Sequence, residues 1–172
     1  MIHRIYYNDE IYIIDLNNFD SMGCYGRVFV NEAKNKAIKM FYIASEYQDN
    51  LQRKEHVCKT FKNEINAYKL LSSNTLTLQY IPTFYGEVTV EKVEDGNGRD
   101  VLGEYYSLAY SMEFIQGRFD KIENKQFKNL SYIKDEFKKL GVENTRDASV
   151  IHDNDTILKI IDFSTQEIVY QI

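Results

Sequence analysis

Two spacings of apolar residues alternate along this chain, and their alternation limits the fold more than any other feature. Val57, Phe61, Ile65, Tyr68 and Leu71 recur at the interval of one helix face. Phe127, Leu130, Ile133, Phe137 and Leu140 do the same, with Gly141 at the C-terminal cap. Everywhere else the period is two, clearest at Tyr106, Leu108, Tyr110 and Met112. "RIYYNDEIYIID" reads as two short strands around Asn8-Asp9, and "RVFVNEAKNKAIKMFY" as a hairpin turning over Glu32 to Lys36. "IPTFYGEVTVEKV" and "EYYSLAYSMEF" read as strands joined by the turn-rich "EDGNGRD", and "SVIHDNDTILKIID" as a last hairpin. Ser72, Ser73 and Asn74 stop the first helix, and the single proline, Pro82, marks a connection before a strand. The order is ββ, loop, β-β, helix, β-β, helix, β-β, without an internal repeat. Antiparallel runs broken by single helices imply an α+β fold, a twisted antiparallel sheet with helices packed on it.

Length and charge narrow the class. At 172 residues the chain is long enough for one domain with a real core and short for two. A 44% hydrophobic and 27% charged composition belongs to a soluble globular protein rather than a disordered one. The net charge of −5 is spread over mixed signs, so no basic block recommends nucleic acid or an anionic membrane as a partner. No apolar run approaches the roughly 20 residues of a membrane span. "MIHRIYYNDE" lacks a signal-peptide core. Cys24 and Cys58 make neither a disulfide framework nor, with His3 and His56, a metal spacing. A reducing cytoplasm is the expected compartment, although a protein exported by a signal-less route would look the same. His152 reads as an ordinary hairpin residue.

The stretch "SMGCYGRVFVNEAKNKAIKMFY", residues 21 to 42, holds the first candidate site. Gly23 and Gly26 sit just ahead of a strand, where glycine lets backbone N–H groups come close to phosphate oxygens or simply makes a turn. Lys39 lies on a strand that is otherwise apolar. Buried there it needs an anion, because an unpaired buried charge is costly; at an exposed site it would only snorkel. Glu64 shares a helix face with Phe61, Tyr68 and Leu71 and is the candidate anion. Asp162 follows Ile160 and Ile161 at the end of a buried-looking strand, as a metal carboxylate or a strand-end cap.

With these residues the order of elements resembles the small lobe and catalytic core of the protein-kinase-like superfamily. That family's loop is written G-x-G-x-x-G-x-V. Here it would be Ser21, Gly23, Gly26 and Val28, with serine in place of the first glycine. "Ala37-Ile38-Lys39" stands where the family has V-A-I-K, and "FKNEINAYKLL" resembles the helix whose glutamate, here Glu64, pairs with that lysine. "SMEFIQG", residues 111 to 117, resembles the linker that holds adenine through its backbone, with Glu113 and Ile115 in those places. "KIIDFS" resembles the strand ending in D-F-G, with Ser164 for glycine and Asp162 as the magnesium ligand. The resemblance covers roughly residues 12 to 165 and implies one kinase-like domain over 1–172, small-lobe-like over 1–114. Residues 115–172 would then supply the linker, a helix, a catalytic-loop-like hairpin and the D-F-S strand. ATP and Mg²⁺ are the cofactors it implies, and a protein is the implied partner or substrate.

The family's catalytic loop, H-R-D-L-x-x-x-N, supplies a base and a second metal ligand. "GVENTRDASVIHDND" admits two alignments. Matching the hairpin puts Ser149 at the metal asparagine and Asn144 at the base. Matching chemistry makes Asp147 the base, in a shortened loop where Ser149 or Asn154 would help hold metal. Residues 165–172, "TQEIVYQI", leave room for one more strand, so the activation segment, the A-P-E motif and most of a helical large lobe are expected to be missing. Two functions follow: a minimal, partner-dependent ATP phosphotransferase, or an inactive pseudokinase that binds and regulates a protein.

Overall fold

The computed structural model describes residues 1–17, 26–43, 51–117, 119–146 and 148–165. The chain forms strands β1 (Ile2–Tyr7), β2 (Glu10–Asp15), β3 (Gly26–Asn31) and β4 (Lys36–Tyr42), then helices α1 (Leu51–Ser72) and α2 (Thr75–Leu78). Strands β5 (Phe84–Glu87), β6 (Val93–Asp95), β7 (Tyr105–Glu113) and β8 (Asp120–Lys121) follow. Helix α3 (Leu130–Lys139) and strands β9 (Ser149–Asp153) and β10 (Thr156–Ile161) complete it. The result is α+β, as the spacing of apolar residues predicts. It divides into two compact units, Met1–Cys58 with Tyr85–Phe114, and Lys59–Phe84 with Ile115–Ile172. No helix among the described residues is long and apolar enough to cross a membrane.

The first unit is built on an antiparallel sheet in the order β5-β7-β4-β3-β2-β1-β6. Its first turn is Asn8-Asp9, with φ of 48° and 60°. Two successive positive φ values make the tight hairpin whose twist matches that of the strands, and Asn and Asp tolerate them best among residues with side chains. The β3–β4 turn is organised by Asn31, which is 3% exposed. Its Oδ1 accepts from the backbone N–H groups of Asn35 (3.0 Å) and Lys36 (2.9 Å), and its Nδ2 donates to Glu10 Oε1 (3.1 Å).

This sheet rolls on itself. Ile5, Tyr12, Ile14, Phe29, Ile38, Met40, Val93, Val101, Tyr105 and Ala109 form a single buried cluster drawn from six strands and the segment before β7. In a flat sheet β1 and β7, four steps apart, would be separated by about 19 Å. Yet His3 of β1 meets the Tyr105 hydroxyl of β7 at 2.8 Å. The expected strand over residues 81–93 is split: β5 joins β7, while β6 pairs with β1. Gly86, inside β5, takes φ 111°, a backbone that a regular strand of L-residues avoids, and residues 88–92 separate β5 from β6, so one segment serves both sheet edges.

The second unit contains the later turns of α1, helices α2 and α3, and a sheet ordered β10-β9-β8. The helix stop expected at Ser72 to Asn74 is present, and the Asn74 side chain caps α2 by accepting from Leu76 N–H at 2.8 Å. Ile133 and Phe137 form the buried stripe of α3, with Leu130 and Leu140 only half-buried, and Phe127 is buried ahead of the helix. Gly141 (φ 81°) ends it: its N–H donates to Lys138 O and that of Val142 to Phe137 O, a Schellman cap. The last hairpin forms as expected, but with an extra residue, Leu158, between Ile157 and Lys159. Beside that bulge both backbone groups of Ile157 are taken by the Asn129 amide.

Candidate functional site

The candidate residues fall into two groups, one in each unit. In the first, β4 is flanked by β3 and β7, and the register places Val28 and Tyr110 either side of Lys39. Ile38 and Met40 enter the buried cluster. By strand alternation Ala37, Lys39 and Phe41 occupy the opposite face. Lys39 is 8% exposed there, its ammonium 5.5 Å from the Phe41 ring and 6.0 Å from that of Tyr110, within range of cation–π attraction. A Cβ built on Gly26 would lie 2.8 Å from Lys39 Cε and 3.2 Å from Cγ. Gly26 has no positive φ, so close approach explains the glycine: it is the floor on which the lysine stem lies. At the far end of β7, Glu113 pairs with Lys36, and the N–H of Phe114 donates to Asn35 O at 2.9 Å. That bond fixes where the chain leaves the sheet towards Ile115.

In the second unit, Glu64 is 9% exposed on α1. Asp162 sits at the end of β10 with φ 60°, left-handed backbone that a non-glycine residue takes at a cost. Phe163 is 1% exposed, its ring 4.7 Å from Tyr68 of α1 and 5.5 Å from Phe137 of α3, and Tyr68 stacks on Phe84 at 5.2 Å. Four rings thereby hold the Asp162–Ser164 turn against both helices. The N–H of Thr165 donates to Asn63 O at 3.4 Å, which ties the turn to the residue preceding Glu64. Ser149, buried, lies opposite Ile161, one register position from Asp162. Asn144 forms an antiparallel bridge with Ser164, and its Nδ2 donates to Ser164 Oγ at 3.0 Å. The unit thus places Asn144 and Ser149 beside the Asp162–Ser164 turn, and ties Thr165 to the residue that precedes Glu64.

Comparison with protein-family models, curated proteins and solved structures found no match to this chain.

Ser21, Gly23 and Asp147 lie outside the described residues, as does 166–172, where one more strand is expected. The choice between Asn144 and Asp147 as the base therefore stays with the sequence. Among the described residues no three His, Cys, Asp or Glu side chains converge as a metal-binding group. The Asp162 carboxylate and Ser149 hydroxyl offer oxygen donors near one turn. That donor set suits a Mg²⁺ that takes its other ligands from water and phosphate.

A cluster that the sequence reading passed over lies in the first unit. Arg27 Nη1 donates to Tyr105 Oη at 2.8 Å, with its guanidinium carbon 4.5 Å from the Tyr42 ring centre and 5.2 Å from that of Tyr105. Tyr105 Oη also meets His3 Nδ1, and His3 is 1% exposed. Burial pushes the His3 ring below its ordinary pKa, and burial raises the Tyr105 phenol against the opposing pull of Arg27. The signal was present: Arg27 alternates with Phe29, and His3 with Ile5, so both point inward with core residues.

Proposed function

We propose that this chain is a kinase-like nucleotide-binding protein that takes Mg²⁺-ATP, with phosphate transfer that depends on a protein partner. The observation that carries the reading is the seating of Lys39: a buried cation on an interior strand of a sheet, lying over a glycine whose missing side chain makes room for it. A lysine that only snorkels reaches water along the surface and needs no such floor. In this reading Gly26 and Val28, with Ser21 and Gly23, cover the phosphates. Ala37 would lie against the base, Lys39 would hold the α- and β-phosphates, and Glu64 is the anion that the resemblance assigns to orient Lys39. The backbone at Glu113 and Ile115 receives adenine. Asp162, with Ser149, would hold Mg²⁺, which screens phosphate charge when bound. Asp147 would accept the proton of the acceptor hydroxyl.

A second reading, a pseudokinase that binds a protein without transferring phosphate, is favoured by Asn144. Its amide is engaged with Ser164 beside Asp162, and an amide cannot serve as a base at neutral pH. The test is calorimetric titration of the full chain with ATP, with and without Mg²⁺. Wild type should bind, Lys39→Met should lose at least about tenfold in affinity (about 1.4 kcal/mol), and Asp162→Ala should lose the Mg²⁺ dependence while staying folded. No heat from wild type at millimolar ATP, or equal binding by all three proteins, would overturn the nucleotide reading. Binding without turnover of ATP in the presence of protein substrates would favour the second.

A further inference from the structure

The rolled sheet of the first unit is closed at one end by groups that hydrophobic packing does not require. His3 and Tyr105 come from strands four steps apart in the sheet, and their hydrogen bond joins them directly. We propose that His3, Tyr105 and Arg27 form a proton-operated latch that holds β1 to β7 at neutral pH and lets go under acid. This inference is independent of the nucleotide reading.

Proton bookkeeping at one oxygen is its basis. Arg27 cannot give up its charge, so Nη1–H always donates to Tyr105 Oη. The phenol has a single proton of its own. With Arg27 donating to the oxygen, that proton goes to His3 Nδ1, which must then be the unprotonated nitrogen of a neutral ring. The three atoms that meet at the phenol, Arg27 Nη1, Tyr105 Oη and His3 Nδ1, are all satisfied in this arrangement, while Arg27 Nε is buried without a partner. Protonation of His3 turns Nδ1 into a donor. Tyr105 Oη then faces two cationic donors, and its own proton loses its acceptor in a place where His3 is 1% and Tyr105 5% exposed. An unsatisfied buried donor and a second buried cation are both costly.

The charges that face His3 do not remove this cost. Arg27 from β3 and the amino group at Met1 oppose a proton on His3, while Glu104 before β7 and Asp95 from β6 favour it. Met1 is already paired with Asp15 at 3.2 Å. Asp95 is committed to its own loop, accepting from Asn97 N–H at 2.8 Å and Arg99 N–H at 2.9 Å, with the Arg99 side chain at 3.3 Å. Glu104 is half-exposed and lies 3.9 Å from Arg27. From β2 the residue opposite His3 is Ile14, which offers no charge. Burial outweighs the attraction of Glu104 and Asp95, and the imidazole is held in the neutral form at pH 7. Opening exposes the ring, which then takes a proton at its ordinary value near 6.5.

Native-state hydrogen exchange on the full chain between pH 7.5 and 5 is the test. Protection factors of the β1 amides that pair with β2 and β6 should fall by up to about tenfold per pH unit below the exposed-histidine pKa. In His3→Gln, which keeps a polar group but cannot titrate in this range, they should be flat. No loss in wild type, or the same loss in the variant, would overturn the latch. If His3→Gln does not fold, ring-labelled histidine NMR on wild type decides, with His56→Gln and His152→Gln providing the assignment. The His3 resonance should titrate below 6.5, together with the Tyr105 ring; a midpoint at or above the ordinary value, or an unmoved Tyr105, would overturn it.

Discussion

Gly26 and Lys39 show how a residue can be chosen correctly in a sequence for an incomplete reason. The glycine reads there as a phosphate loop or a turn; in the fold it is also the surface beneath a lysine. The consequence can be measured. Gly26→Ala places a carbon 2.8 Å from Lys39 Cε, and Cε is near the free end of a flexible side chain. The lysine can swing aside, so the urea midpoint should move little, with ΔΔG of about 1 kcal/mol or less. Lys39 itself should become more exposed, and reductive methylation should modify it faster than in wild type. A large loss of stability with unchanged Lys39 reactivity would mean that the backbone, not the lysine, needs the glycine. For His3 and Arg27, alternation gives the face that each takes but not what it meets there. A histidine or arginine in an alternating strand is usually a surface residue, and a single sequence does not show that the strand rolls until both meet one tyrosine.

Among the elements, those whose ends are fixed by local chemistry were legible. Asn8-Asp9 adopts positive φ because that turn requires it, Ser72–Asn74 breaks a helix, and Gly141 takes the left-handed cap. Elements fixed by distant partners were not: β6 exists because β1 needs a neighbour, and β8, two residues long, because β9 does. Asn31 lies between these cases, a polar residue just ahead of the predicted turn whose side chain proves to be the turn's framework. It is 3% exposed and bonds Asn35, Lys36 and Glu10. Asn31→Ala should leave two backbone N–H groups without their acceptor and cost about 1–3 kcal/mol, read as a lower urea midpoint at unchanged slope. Asn31→Asp should recover part of this, since its carboxylate still accepts from the two N–H groups but cannot donate to Glu10. Equal stability of wild type and Asn31→Ala would show that water replaces the side chain there.

At the scale of the whole molecule, residues 59–84 belong with 115–172, so each unit is interrupted in sequence by the other. No linker composition marks these crossings: one falls inside α1 and another inside β5. Periodicity alone therefore implies one domain. The division has a consequence under acid. In the first unit Glu10 is held low, foremost by Lys36, Asp15 by the Asn17 N–H, Glu94 by Lys92 and Asp95 by the Arg99 N–H. In the second, Asp155 is held low by Lys128. A carboxyl whose folded pKa is depressed contributes stability above its unfolded value and loses it as pH falls through the folded one. His3 acts in the same direction at higher pH, because its depressed pKa means that the unfolded chain takes the proton first. Acid should therefore weaken the first unit in two stages, one beginning below about 6.5 and one below about 4.5. The second unit, through the Asp155–Lys128 pair, should weaken at the lower stage. Segment-resolved hydrogen exchange read at pH 6, 5, 4 and 3 would follow both. If peptides from β1 and β2 keep full protection down to pH 5, the upper stage is absent and His3 does not set the acid sensitivity of the first unit.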